Sequence, residues 1–223
     1  MIYGQLKYYQ DGKYLSRPRR IKEGLYETEA VSSILVDDGT VTGIQFGSVC
    51  GEIYDLDYIK SERLCFDENL KRNEDGLFNL DLLALSNRFY VTYYDGYCYR
   101  QWKDEIGEPC FEPDKELNKA TEAIRRHSHL DEINLQIQRR NVSVIFWNAI
   151  RIGRCKESAE VSCKRLAEYI ENSSIDRDYS AIKNDVMNKY KKILIFMLYK
   201  RWIIIFYFIM RFVYPLIKNT DKI

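Results

Sequence analysis

Histidine is nearly missing from this chain, with two in 223 residues, and proline is scarce at four. The six cysteines, Cys50, Cys65, Cys98, Cys110, Cys155 and Cys163, include no Cys-x-x-Cys pair. Structural zinc sites need such pairs or richer Cys/His sets, so neither a metal nor another cofactor is expected. The chain also lacks a Gly-rich phosphate loop, a G-x-S-x-G elbow and a zincin motif, so the enzyme classes most easily read from a sequence find no support. An excess of one charge is absent too. Thirty-four basic and 33 acidic residues leave a net charge of +1, which excludes a uniformly basic nucleic-acid binder. The start, Met1-Ile2-Tyr3-Gly4-Gln5-Leu6-Lys7, carries no basic region followed by an apolar leader. The N-terminal part is therefore expected in the cytoplasm, with its thiols reduced.

The balanced total conceals segregation. Residues 1–112 hold 13 basic and 20 acidic residues, and residues 113–223 hold 21 and 13. From Asn188 to Ile223 there are eight basic residues and one acidic residue, Asp221. Two modules are expected, one of them facing a polyanionic surface.

The first half reads as strands and turns. Val36-Asp37-Asp38-Gly39-Thr40-Val41 places an Asp-Gly pair between apolar runs, the signal for a hairpin turn with positive φ. A second hairpin is expected where Phe89–Tyr94 meets Asp95-Gly96 and returns as Tyr97–Trp102, with Tyr94 facing Tyr97 and Phe89 facing Trp102. Residues 67–76 read as a polar loop. The leucines between Asn79 and Ser86 suit either a strand or a helical turn. Pro109 and Pro113 then break the pattern, and a boundary is placed there.

Helices follow. Leu117, Ala120, Ala123 and Ile124 have helical spacing over 114–126. Ser128 and Asp131 are candidate caps for a helix over 130–152. Residues 133–138 also alternate with period two, which would suit a hairpin over 133–147, but the Leu, Gln, Glu and Arg content favours helix. Further helices are expected over 157–172 and from 179 to 185. The fold class expected is thus α+β. An antiparallel β-sheet domain would occupy 1–112, a helical region 113–190, and a basic, hydrophobic, membrane-seeking helix and tail 191–223.

Ile193–Ile217 is the most informative stretch. As one helix its 25 residues would span about 37 Å, enough for a bilayer core of about 30 Å. Lys200, Arg201 and Arg211 interrupt it, so the sum of insertion energies lies near zero. Lys189, Lys200 and Arg211 are eleven residues apart, which returns to nearly the same line on a helix, and Lys218, Tyr207 and Tyr214 fall close to it. Lys189, Lys192, Lys200, Arg201, Trp202, Tyr207, Arg211, Tyr214 and Lys218 are therefore candidate membrane-contacting residues. A single-pass tail anchor, an interfacial amphipathic helix and a helix that spans only as an oligomer all fit, and a buried helix of a bundle competes with them.

Other candidates are weaker. His127-Ser128-His129 cannot chelate one metal from a helix, because i and i+2 do not share a face. Asp37/Asp38, Asp55/Asp57 and Glu74/Asp75 are carboxylate pairs of a kind common on exposed turns. Arg17–Lys22 is a short basic cluster, Tyr90–Tyr99 a run of aromatics, and Cys50 a thiol without a histidine nearby in sequence.

The function expected is a membrane-associated, non-enzymatic binding or effector protein. Its β domain would recognise a protein partner, and its C-terminal helix would anchor or oligomerise in an anionic lipid bilayer. Nucleic acid is not an expected partner. One alternative is an enzyme whose site, drawing on Asp55, Asp57, Arg88 or Cys50, assembles only in three dimensions. Another is a soluble adaptor whose C-terminal helix docks into a partner.

Overall fold

The computed structural model describes residues 1–10, 13–16, 21–40, 46–70, 73–100, 113–183 and 189–214. Both sheets and helices are present, so the α+β class holds. The chain divides into two compact units that are each discontinuous in sequence. Unit 1 comprises Met1–Val36, Ile44–Glu105 and Asn118–Ile133, and unit 2 comprises Asp37–Gly43, Ile106–Leu117 and Asn134–Ile223.

Unit 1 holds β1 (Ile2–Tyr3), β2 (Leu6–Gln10), β3 (Lys13–Ser16), β4 (Gly24–Glu27), a 3-10 helix (Glu29–Ile34), β5 (Glu52–Ile53), α1 (Leu56–Ser61), α2 (Glu74–Leu85), β6 (Arg88–Val91) and β7 (Tyr97–Arg100). The strands form two sheets, ordered β4-β6-β1-β5 and β3-β2-β7. The expected antiparallel domain is corrected to a mixed one. β1 runs parallel to β6, with Ile2 opposite Tyr90, and β2 runs parallel to β7, with Tyr8 opposite Tyr99.

The 89–102 hairpin does not form. β6 is hydrogen-bonded on both edges, by β4 and by β1, so no edge remains for β7. Between the two strands the Tyr94 carbonyl accepts the Gln5 amide at 3.0 Å, which ties this stretch to the N-terminal segment instead. Alternation on β6 buries Phe89 and Val91, and Phe46 meets Phe89 and Tyr3 edge-on at 5.2 and 4.7 Å. Local turn chemistry thus yields to the burial offered by the N-terminal strand.

No strand leads into the Asp38-Gly39 pair, and the expected return arm from Val41 lies outside the described residues. The pair follows the 3-10 helix. Asp37 Oδ1 accepts the Gly39 amide at 2.8 Å, and Asp38 Oδ1 accepts the Thr40 amide at 3.0 Å. Side-chain acceptors here take the amides that a ladder would need.

Gly4 sits where β1 passes into β2. A Cβ at this position would lie 2.2 Å from the Gly51 carbonyl oxygen, a contact with backbone that no rotamer change relieves. Gly4→Ala is therefore expected to destabilise unit 1 by about 1–3 kcal/mol. Urea denaturation checks this, and an unchanged midpoint would mean that the close approach of the two backbones is not kept in solution.

The leucines of 79–86 belong to α2. Its buried residues Gly76, Leu77, Phe78, Asn79, Leu80, Leu82 and Leu83 cover most of its circumference, so no single apolar face marks it as a helix. Asn79 is wholly buried and serves as a clamp. Its Nδ2 donates to the Phe46 and Ser48 carbonyls at 2.8 and 2.9 Å, and its Oδ1 accepts from the Tyr54 hydroxyl at 2.7 Å.

The remaining helices are α3 (Pro113–Arg125), α4 (Ile133–Arg154), α5 (Ala159–Glu171), α6 (Ile175–Lys183), α7 (Lys189–Tyr199) and α8 (Ile203–Phe208), which continues as a π-helical turn (Ile209–Val213). The helix reading of 133–147 is the one realised. The boundary residues before Pro113 lie outside the described residues. In unit 2, Val142, Ile145, Phe146 and Ala149 of α4 form a core with Leu166, Ile170, Ile175, Ile182, Leu194, Ile195, Leu198, Phe206 and Met210. A buried carboxylate joins α6 to α4. Asp178 Oδ2 accepts from Asn141 Nδ2 at 2.9 Å and from the Ser174 hydroxyl at 2.7 Å, and Arg177 donates to both of its oxygens.

Candidate functional site

The C-terminal stretch is broken rather than continuous. Arg201 adopts φ +59°, the left-handed conformation more usual for glycine at a helix end. The Trp202 amide donates to the Met197 carbonyl at 2.9 Å and the Arg201 amide to Leu198 at 3.0 Å. This is a Schellman stop with Arg201 in the left-handed position. Arg201 is held there by Asp176, whose two oxygens accept from its guanidinium at 2.7 and 2.6 Å. That contact moves the Asp176 carboxyl down and the Arg201 guanidinium up from their ordinary values.

The stop corrects the tail-anchor and single-pass transmembrane expectation. Among the described residues, no helix is long and apolar enough to cross a membrane. The 11 residues of α7 rise about 16 Å, half a bilayer core. A hydropathy sum over 193–217 assumes a single helix, and the Schellman turn removes that assumption.

The turn also resets the helical phase, so the eleven-residue stripe does not survive as one face. Lys189 is exposed, and Lys192 donates to the Lys183 carbonyl at 2.9 Å. The Lys200 ammonium lies over the Tyr199 and Phe196 rings at 5.0 and 5.8 Å. Trp202 is half-exposed and meets Phe196 edge-on. Tyr207 and Tyr214 are buried, and burial pushes the Tyr214 phenol up. Arg211 Nη1 donates to the Arg154 and Cys155 carbonyls at 3.4 and 3.0 Å, where it caps the C-terminus of α4. Lys218 lies outside the described residues.

What faces outward instead is apolar. Ile204, Ile205, Phe208 and Phe212 expose 64, 50, 52 and 61% of their surface. Steps of three and four residues place them on one side of α8 and its π-turn, and the Phe208 and Phe212 rings stack at 5.8 Å. Of the exposed large apolar side chains described in unit 2, all but Val161 lie between Tyr190 and Val213. Residues 189–214 carry six cations, Lys189, Lys191, Lys192, Lys200, Arg201 and Arg211, and no acidic residue. The sequence contained this face. Which side of α8 turns inward is set by its packing in one core with α4 and α5.

The other candidates are dispersed. Asp55 caps α1, its Oδ1 accepting the Asp57 and Tyr58 amides, so the pair does not line a strand face. Glu74 and Asp75 occupy the first turn of α2, where the helix dipole favours them. His127 Nε2 lies 2.6 Å from Asp81 Oδ1, and the His129 ring is 5.9 Å away. Among the described residues no three His, Cys, Asp or Glu side chains group as a metal site. Arg17–Arg20 lie outside the described residues. Cys50, Cys65, Cys98, Cys155 and Cys163 are free thiols.

Unit 1 has an apolar groove of about 550 Å³, lined by Val49, Tyr54, Ile59, Leu64, Cys65, Phe66, Glu68 and Phe78. Burial raises the Tyr54 phenol well above its ordinary value. None of Cys50, Asp55, Asp57 and Arg88 lines this groove. Comparison with known proteins finds no matching family model, curated protein or solved structure.

Proposed function

We propose that this protein binds the surface of anionic membranes through the outward face of α8, and that unit 1 recognises a partner there. The observation that carries the reading is the row Ile204, Ile205, Phe208 and Phe212, exposed at helical spacing within a segment that is cationic and free of acidic residues. Half-exposed Ile and Phe side chains each contribute about 1 kcal/mol when they enter the interface. Each exposed cation nearby, Lys189 and Lys200 among them, adds about 1 kcal/mol against anionic lipid. Such a face lies in the headgroup region and needs no continuous span. The exposed tyrosines of unit 1, among them Tyr14, Tyr90, Tyr94, Tyr97 and Tyr99, support the recognition role, because tyrosine supplies large contact area at low entropic cost.

Co-sedimentation with phosphatidylcholine vesicles, with and without phosphatidylserine, tests the reading. The full chain is expected to sediment with the anionic vesicles and to dissociate partly in high salt. Phe208→Ser/Phe212→Ser removes about 2 kcal/mol and should weaken binding about 30-fold, with the melting temperature nearly unchanged. The proposal is overturned if the wild-type chain ignores both vesicles or the double variant binds as well as wild type. Binding to a protein with no vesicle affinity would transfer the same face to the adaptor reading.

A further inference from the structure

Arg140 is the largest fully buried side chain among the described residues, and both of its terminal nitrogens lack a hydrogen-bond partner. An uncompensated buried guanidinium costs several kcal/mol, so its surroundings are informative. Asp37 faces it, and each perturbs the other electrostatically. Yet Asp37 Oδ2 is also buried and without a partner, as is the Ser143 hydroxyl one turn along α4 from Arg140. Four buried polar atoms therefore stand unsatisfied on facing elements of unit 2. The same helix shows how a buried charge is normally handled here, since Asp178 accepts from Asn141, Ser174 and Arg177.

The donors outnumber the acceptors. Arg140 Nη1 and Nη2 and the Ser143 hydroxyl all donate, against a single carboxylate oxygen. Further positive charge adjoins. Arg139 also acts on Asp37, and Lys191, itself buried, donates to the Thr40 carbonyl three residues from Asp37 at 3.3 Å. A guanidinium fork with an adjacent hydroxyl matches an oxyanion.

We propose that Arg140 and Ser143, beside Asp37, bind a small tetrahedral oxyanion of the phosphate class inside unit 2. Burial pushes the Asp37 carboxyl up to about 7 despite the Gly39 amide, Arg139 and Arg140, so its charge opposes a bound anion less than an ordinary carboxylate would. The enclosure selects for size, because Asp37, Arg140 and Ser143 are at most 1% exposed.

Thermal unfolding of the full chain, with inorganic phosphate against sodium chloride of equal ionic strength, is the test. Phosphate is expected to raise the melting temperature in a saturable way and chloride is not. Arg140→Met should abolish the response. Ser143→Ala removes one donor to the anion, keeps the fold, and should weaken phosphate affinity about tenfold. Equal shifts from phosphate and chloride would overturn the proposal and assign the gap to ordered water. So would a phosphate response that both variants retain.

Discussion

Phe206→Ala is expected to destabilise unit 2 by about 3–5 kcal/mol, whereas Phe208→Ala, two residues on, changes stability by less than about 0.5 kcal/mol. Phe206 is wholly buried and belongs to the core built around Phe146, Ala149 and Ile195. Its removal leaves a cavity that the surrounding helices close only partly. Phe208 points outward and loses little when truncated. The pair is read by urea denaturation without detergent or lipid. It separates a segment folded into protein from one that waits for a bilayer. Equal costs for the two residues, or a larger cost at Phe208, would refute the orientation of α8, and with it the membrane-contact face assigned above.

Asn79→Leu keeps the branched shape of the side chain at a buried position in α2 and is expected to cost about 3 kcal/mol or more, from lost hydrogen bonds and from its greater bulk. Three groups lose their partner at once: the Phe46 and Ser48 carbonyls lose a donor, and the Tyr54 hydroxyl loses its acceptor. A buried group left without a partner costs about 1–3 kcal/mol, so even partial rescue by water leaves a large effect. Tyr54 also lines the groove of unit 1, so loosening residues 46–54 should speed amide exchange there before the global transition. A stability change below about 1 kcal/mol, with unaltered exchange, would show that Asn79 does not clamp this segment.

The helical half was largely legible. Helical spacing in 114–126, 130–152 and 157–172 answers to α3, α4 and α5, because a helix satisfies its hydrogen bonds locally and its apolar period survives in the sequence. The strands were legible as strands but not in their pairing. Asp95-Gly96 carries a strong local turn signal, yet β6 is taken on both edges by strands from residues 2–3 and 24–27. Nothing near Asp95 encodes that choice. Arg140 and Asn79 carry no signal of their own in the sequence, and Asp37 reads only as one of a carboxylate pair. An arginine beside another arginine, an aspartate ahead of an Asp-Gly pair and an asparagine among leucines carry no spacing signature, and their roles exist only once distant backbone surrounds them.

The sequence by itself determined the α+β class, most of the helices, the segregation of charge and the apolar, cationic character of the C-terminal stretch. Each of these is a property of composition or of short-range period. Tertiary structure decided which strands pair, where the 193–217 stretch breaks, and which side of α8 is turned outward. The break is instructive. Arg201 takes a conformation that propensity assigns to glycine, and it is held there by Asp176, 25 residues away. The burial of α7 and α8 in the core of unit 2 outweighs local preference at such a position, and a reading confined to neighbouring residues contains no trace of it.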